Sequence, residues 1–214
     1  MPPSVGGLST LTKDNSMHNY FCLLLQRSLM PSRAVAGLLV PLILLLSAAF
    51  APVSAFNGCV ETVALLKNRE YPQILLKEIR GARKEVIFSF YLFKIGPLPG
   101  NQPRRIAEEL ISARNRGVAV TVILERSDKK DDPLNVENNK TAALLSQNGI
   151  KVLFDSPGIT THTKAVLIDN RYVFIGSHNL TQSALQYNNE LSVRIDSPAM
   201  AEEIRSYLNR FTTR

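Results

Sequence analysis

One short region of the chain gathers residue types that suit chemistry on a phosphate. His162 and Lys164 are two positions apart, so on an extended strand both side chains point to the same face. A histidine can attack phosphorus or exchange protons near neutral pH, and a lysine attracts phosphate oxygens through its positive charge. The pair therefore indicates a site for phosphoryl chemistry.

More polar residues follow at short spacing. Asp169 ends the apolar run 165–168, and Asn170 after it favours a turn. A second apolar run, 172–175, leads into the small polar cluster at 176–179, which we expect to suit close approach by a ligand. The pattern predicts a hairpin whose rim holds a nucleophile, a cation and several hydrogen-bond donors.

The complete spacing resembles the signature of the phospholipase D superfamily, known as the HKD motif. The matching residues are His162, Lys164, Asp169, Gly176, Ser177, Asn179 and Glu190. The chain has one copy of the motif and resembles the short branch of bacterial-type endonucleases and phospholipase-like proteins. In that branch two protomers form one site, so the resemblance implies a homodimer that completes the active site.

The resemblance also implies a role for each side chain. His162 would attack the phosphodiester phosphorus to form a phosphohistidine, while the partner subunit's His162 would protonate the leaving oxygen and then activate water. Lys164 would neutralise the non-bridging oxygens, and Ser177 and Asn179 would donate hydrogen bonds to them. Glu190 would accept a hydrogen bond from the ring nitrogen of His162 that does not attack phosphorus.

Two residues near the motif keep alternative roles. Asp169 is grouped with the catalytic residues His162, Lys164 and Glu190, but orienting the strand or capping the turn after it is an equal alternative. His178 occupies the position that the motif leaves variable, and it is a candidate substrate contact.

The sequence offers no set of ligands for a zinc ion. The chain has two cysteines, Cys22 and Cys59, and after residue 55 its only histidines are His162 and His178. Because a zinc site needs a closely spaced group of such residues, we expect chemistry without a metal or other cofactor.

The first 55 residues differ in composition from the rest. Residues 1–33 are polar without a sustained period and are predicted to be a disordered leader, which a start at Met30 would largely remove. Residues 34–55 hold an apolar run and end in a small-x-small pattern, which predicts a signal peptide cleaved after Ala55 or, alternatively, a membrane anchor. Residues 56–214 are then an exported or membrane-anchored catalytic domain.

After residue 55, strand patterns and helix patterns alternate, which predicts an α/β fold with a central mixed sheet. The predicted strands cover 59–66, 85–93, 118–124, 150–154, the two hairpin strands and 191–195. The predicted helices cover 72–81, 103–117, 141–147, a turn at 181–186 and 198–211. The charged segment 126–139 is predicted to be a mobile loop.

The motif specifies phosphoryl chemistry more firmly than substrate. A net charge of +7 and the short layout favour an endonuclease, with Arg104, Arg105, Arg114 and Arg116 as candidate phosphate contacts. An apolar leader is equally compatible with a phospholipase D that cleaves membrane phospholipid and dips the loop 95–99 into the bilayer surface. An inactive phosphate-binding module is the remote alternative.

Overall fold

The computed structural model describes residues 62–129, 131–156 and 158–211. The strands of this part are β1 (Thr62–Lys67), β2 (Glu85–Phe90), β3 (Ala119–Leu124), β4 (Lys151–Phe154), β5 (Lys164–Ile168), β6 (Tyr172–Gly176) and β7 (Leu191–Asp196). The helices are α1 (Glu70–Gly81), α2 (Gln102–Asn115), α3 (Pro133–Gln147), α4 (Gln182–Gln186) and α5 (Pro198–Asn209).

The predictions for the leader at 1–33 and for the signal peptide or anchor at 34–55 lie outside the described residues. Within the described part, none of the helices has both the length and the apolar character needed to cross a bilayer.

The strands form one mixed sheet in the order β1-β7-β6-β5-β2-β3-β4. β2, β3 and β4 are parallel, whereas β5 pairs antiparallel with β2 and begins an antiparallel set that continues through β6, β7 and β1. This arrangement brings the last residues of β2 and β3, Phe90 and Leu124, to the same end of the sheet as Lys164 and Gly176. We call this the Lys164 end.

Two apolar layers cover the sheet. Side chains of α1, α2, α3 and α4 join one large cluster with the strands, which includes Phe88, Phe90 and Phe174. A smaller cluster on the strands packs against α5 through Ala201, Met200 and Ile204. Since burial of one large apolar side chain stabilises a fold by about 1.5–3 kcal/mol, these layers hold the ends of the central strands in fixed positions.

The predicted α/β fold with a mixed sheet is confirmed, and so is the hairpin formed by β5 and β6. The prediction of a mobile loop over 126–139 is wrong, because α3 begins at Pro133. Asp132 accepts a hydrogen bond from the backbone N of Leu134 at 2.9 Å, which is a helix N-cap, and proline suits the first helical position.

The polar composition of this segment serves internal hydrogen bonds. The buried Asn138 accepts from the backbone N of Phe93 at 3.0 Å and donates to the carbonyls of Tyr91 and Glu125 at 2.9 and 3.0 Å. A buried backbone group without a partner is costly, so these bonds stabilise the chain where β2 and β3 end. Composition alone therefore predicted a mobile loop where polar side chains in fact form internal hydrogen bonds.

Candidate active site

Three side chains meet where β5 begins. His162 is exposed just before the strand, and the half-buried Lys164 donates a hydrogen bond from Nζ to the His162 carbonyl at 2.9 Å. The ring of Tyr91, just after β2, lies 4.6 Å from the His162 ring between centroids and 5.3 Å from Lys164 Nζ. Its backbone N also donates to the carbonyl of Thr163 at 3.0 Å. Tyr91 therefore supports both the histidine and the lysine.

The local environment lowers the pKa of both basic groups. Partial burial, with the positive charge of Lys164 as a second cause, lowers the pKa of His162 below its ordinary value of 6.5. Burial also lowers the pKa of Lys164, while the negative charge of Glu190 acts in the opposite direction. The lowered pKa favours the neutral form of the His162 imidazole, and in the described part of the chain no hydrogen bond occupies its ring nitrogens.

The Ser177–Glu190 pair lies beside this group. Ser177 donates from its hydroxyl to Glu190 Oε2, and Asn188 donates from its side chain to Oε1 at 3.1 Å. The expected hydrogen bond between Glu190 and His162 is not made between the described residues of one chain. Glu190 instead positions Ser177 and favours the charged form of Lys164.

Asn179 has an unsatisfied polar atom in this region. Its side chain is half-buried, and its Oδ1 is the one buried side-chain polar atom without a hydrogen-bond partner within the described residues. An unpaired buried acceptor costs about 1–3 kcal/mol. Because Oδ1 can only accept, it gains from a ligand that donates a hydrogen bond.

Gly176 lies where β7 approaches β6 closely. A Cβ at this position would lie 2.5 Å from the carbonyl oxygen of Leu191 and would also collide with Ser192. The glycine is therefore required by the close approach of β7, and approach of a ligand to the polar cluster 176–179 stays a prediction.

His178 lies in the interior, with 1% of its surface exposed. Its ring stacks on Tyr71 with 4.3 Å between centroids; Nδ1 is 2.7 Å from Ser192 Oγ, and Nε2 is 3.0 Å from the carbonyl of Asn68. Since a carbonyl only accepts, Nε2 carries the proton and Nδ1 accepts from the serine. Burial lowers the pKa of this neutral ring. The proposed substrate contact by His178 is therefore wrong.

Asp169 lies at the other end of β5, about 16 Å from Lys164 for a strand that rises about 3.3 Å per residue. Its carboxylate accepts hydrogen bonds from the backbone N–H groups of Arg83, Lys84 and Glu85 at 2.8 to 3.2 Å. These bonds fix the chain just before β2. Membership of Asp169 in the catalytic group is therefore wrong, and its contacts fit the alternative of an anchor at the turn.

A buried acidic cluster lies directly before His162, and no sequence pattern predicted it. Thr161 donates from its backbone N to Glu125 Oε2 at 2.6 Å and from its hydroxyl to Asp155. Asp155 also accepts from the backbone N of Ser156 at 2.7 Å. Both carboxylates are buried, and burial raises the pKa of Glu125, with the charge of Asp155 acting in the same direction. The cluster fixes the chain that enters the site.

Three of the four arginines chosen as phosphate contacts bind the protein itself. Arg104, Arg114 and Arg116 donate to backbone carbonyls at 2.8 to 3.2 Å. Arg105 has only a long contact of 3.4 Å to Gln102 Oε1. Arg105 is thus the member of this set that remains available to a ligand.

Across residues 62–129, 131–156 and 158–211, no group of three or more histidine, cysteine or acidic side chains is placed to hold a metal ion. That the reaction needs neither metal nor cofactor stays a prediction.

Residues 75–212 match the family model described as cardiolipin synthase, PLD-like domain. The chain therefore belongs to the phospholipase D superfamily, as its sequence pattern predicted. Members of this superfamily are phosphodiesterase hydrolases.

Two curated relatives and one solved structure are similar to the chain. It is 30% identical over 143 residues to a phospholipase D of Rickettsia prowazekii, covering 66% of this chain and 62% of the relative. It is 28% identical over 109 residues to a polyphosphate kinase of Vibrio parahaemolyticus, covering 48% of this chain but only 15% of that kinase. The phospholipase D family member Nuc of Salmonella typhimurium shares the fold, with a TM-score of 0.59, 24% identity, and coverage of 70% of this chain and 93% of Nuc.

Proposed function

We propose that this chain is a phosphodiesterase that cleaves nucleic acid through a covalent intermediate on His162. The observation that carries the proposal is the exposed, neutral His162 beside the Lys164 ammonium and the Tyr91 ring. A neutral imidazole with unoccupied nitrogens can attack phosphorus, and a neighbouring cation stabilises the charge that develops on the phosphate.

In the first step, a ring nitrogen of His162 forms a bond to phosphorus as the bond to the leaving oxygen breaks. That oxygen takes a proton from the partner subunit's His162, which enters the step as the imidazolium while the attacking ring is neutral. In the second step, water gives its proton back to that histidine and attacks phosphorus, and the nitrogen–phosphorus bond breaks. The products are a phosphomonoester and an alcohol, and both histidines return to their starting states.

The remaining polar residues bind the phosphate in this proposal. Lys164 neutralises the non-bridging oxygens, while Ser177 and Asn179 contribute hydrogen bonds to them. The unpaired atom of Asn179 is the acceptor Oδ1, so the side chain binds the phosphate through its Nδ2 donor, and Oδ1 is left for a donor group of the substrate such as a hydroxyl. Glu190 acts indirectly, since it positions Ser177 and favours the charged form of Lys164.

A homodimer follows from the need for a second histidine. The reaction uses one histidine as nucleophile and another as acid, and burial excludes His178 from either task. The third histidine, His18, lies in the leader predicted to be disordered and outside the described residues. A second copy of His162 on a partner chain supplies the acid. Export or anchoring through residues 34–55 remains part of the proposal.

A phospholipase D activity is the second candidate, and exposed apolar side chains favour it. Leu98 is 71% exposed in the loop before α2, and Ile159 is 70% exposed in the segment that leads to His162. Apolar loops next to a site can insert into a lipid surface. The net charge of +7 supports nucleic acid as the first choice.

The test uses the full chain in chelator with supercoiled plasmid DNA or phosphatidylcholine vesicles, and compares wild type with His162→Ala. Plasmid nicking that the variant lacks would support the nuclease, and choline release without nicking would support the lipase. Equal activity of both proteins on either substrate would exclude the proposed intermediate. Unchanged circular dichroism of the variant is the control for folding.

A further inference from the structure

A polar cleft of about 450 Å³ lies between α1, α2 and α4. Its polar lining consists of Arg69, Gln73, Arg80, Gln102, Arg105 and Gln186. Two apolar residues complete the lining, and no carboxylate is part of it. Three guanidinium groups and three carboxamides make a surface that suits an anion with polar groups attached to it.

Two of the three arginines are available to a ligand. Arg80 is paired with Glu109 at 2.6 Å. Arg69 is exposed and has no hydrogen bond or ion pair to another described residue, and Arg105 has only its 3.4 Å contact to Gln102. The cleft therefore offers two uncompensated guanidinium groups.

One end of the cleft is linked to Glu190 of the candidate active site. Arg69 directly follows Asn68, whose side chain accepts from the backbone N of Glu190 at 2.8 Å. Gln186 ends the short helix that leads toward Glu190, and the backbone N of Gln102 donates to Gln182 of the same helix at 2.8 Å. The segments that carry Glu190 thus also form one wall of the cleft.

We propose that the cleft binds a backbone phosphate of a nucleic-acid strand next to the phosphodiester that is cleaved, chiefly through Arg69 and Arg105. Guanidinium groups bind phosphate oxygens with two parallel hydrogen bonds, and carboxamides bond sugar and base edges. This inference rests on the proposed phosphodiesterase function and narrows its substrate. A polynucleotide can place one phosphate at His162 and another in the cleft, whereas a phospholipid with a single phosphate cannot.

The test compares the double variant Arg69→Ala/Arg105→Ala with a charge-matched control, Arg83→Ala/Lys151→Ala. Both control residues are exposed and lie at the opposite end of the sheet, before β2 and at the start of β4. For cleavage of a single-stranded oligonucleotide, the cleft variant should raise KM about tenfold or more with little change in kcat. It should cleave bis(p-nitrophenyl) phosphate, which has one phosphate, as wild type does.

Equilibrium binding separates this inference from the proposed function. In a His162→Ala background, fluorescence anisotropy should show about tenfold weaker oligonucleotide binding for the cleft variant than for the control. Equal affinity of the two proteins would overturn the cleft proposal, even if His162-dependent cleavage stands. The cleft proposal would also be overturned if the cleft variant lost binding to vesicles of anionic phospholipid but kept its oligonucleotide binding. If cleavage does not depend on His162 but the cleft variant still binds oligonucleotide more weakly than the control, the proposed chemistry is rejected and the cleft proposal stands.

Discussion

The two histidines of the described region lie in opposite surroundings. His162 is exposed, touches the Tyr91 ring and leaves both ring nitrogens unoccupied within the described residues. His178 is buried, stacked on Tyr71 and hydrogen-bonded through both nitrogens to Ser192 and Asn68. The His162 ring is accessible to a substrate, whereas the His178 ring links Ser192 and Asn68 inside the fold. Burial and hydrogen bonding decide the role, since the residue type is the same.

The largest expected effect comes from His162→Ala. Loss of the nucleophile should lower phosphodiester cleavage by at least about 10³-fold, because the other site residues position the phosphate without forming a bond to it. The melting temperature should change little, since His162 is exposed. Steady-state rates measure the loss of activity, and differential scanning calorimetry measures the melting temperature. A large fall in melting temperature together with the loss of activity would contradict the contrast between an exposed His162 and a buried His178.

His178→Ala should have the reverse signature. Removal of the ring leaves a cavity beside Tyr71 and unpaired groups on Ser192 and Asn68, which should cost about 2–4 kcal/mol of unfolding free energy. Urea denaturation measures this loss. Below the transition, the folded fraction should retain kcat within about tenfold of wild type, and a full loss of kcat in folded protein would show that His178 takes part in the chemistry.

Glu125 tests how the chain is held just before His162. Glu125→Ala removes the acceptor for the backbone N of Thr161 and should cost about 1–3 kcal/mol together with part of the activity. Glu125→Gln keeps an acceptor oxygen and should restore the activity.

The contribution of Glu125 to stability depends on pH with a defined sign. The pKa of Glu125 is raised by burial and by the carboxylates of Asp155 and Asp132, although the bond from Thr161 opposes the shift. Its contribution to stability is therefore complete below pH 4.5 and is lost as the pH rises through the folded pKa. Glu125→Gln should remove this component in urea titrations at several pH values, and an unchanged profile would contradict the assignment.

The smallest effect expected is the pH dependence that His178 gives to stability. Burial lowers its pKa below 6.5, so the unfolded chain binds more protons than the folded chain just below that pH. Stability should therefore decrease as the pH falls from about 6.5 through the folded pKa. The His178→Ala variant should lose the part of this slope that the His178 ring supplies in thermal melts, whereas His162→Ala should keep that part and lose only the part due to its own lowered pKa. The same slope in wild type and His178→Ala would show that other groups cause it.

The sequence predicted the elements better than the contacts between them. Two short apolar runs identified β5 and β6, and the spacing of His162 and Lys164 placed both at one strand end. Tyr91 and Glu125 went unrecognised, because their proximity to this end depends on pairing between strands that are distant in sequence. Local spacing does not reveal such pairing.

Errors at single residues have the same physical origin. Asp169 was grouped with the catalytic residues, yet its three backbone partners lie at the start of β2 and just before it, far away in the chain. Asn138 was assigned to a loop from its polarity, although the Asp132–Pro133 pair is a recognisable helix start. In both cases a polar side chain has buried or backbone partners that composition cannot reveal.

The most direct test of the central claim is detection of the covalent intermediate on His162. Wild-type protein would be mixed with bis(p-nitrophenyl) phosphate, quenched in alkaline denaturant to preserve the nitrogen–phosphorus bond, digested and analysed by mass spectrometry. The account predicts a nitrophenyl phosphate adduct on His162 and none in His162→Ala. Rapid cleavage with no adduct, or an adduct on another residue, would contradict it.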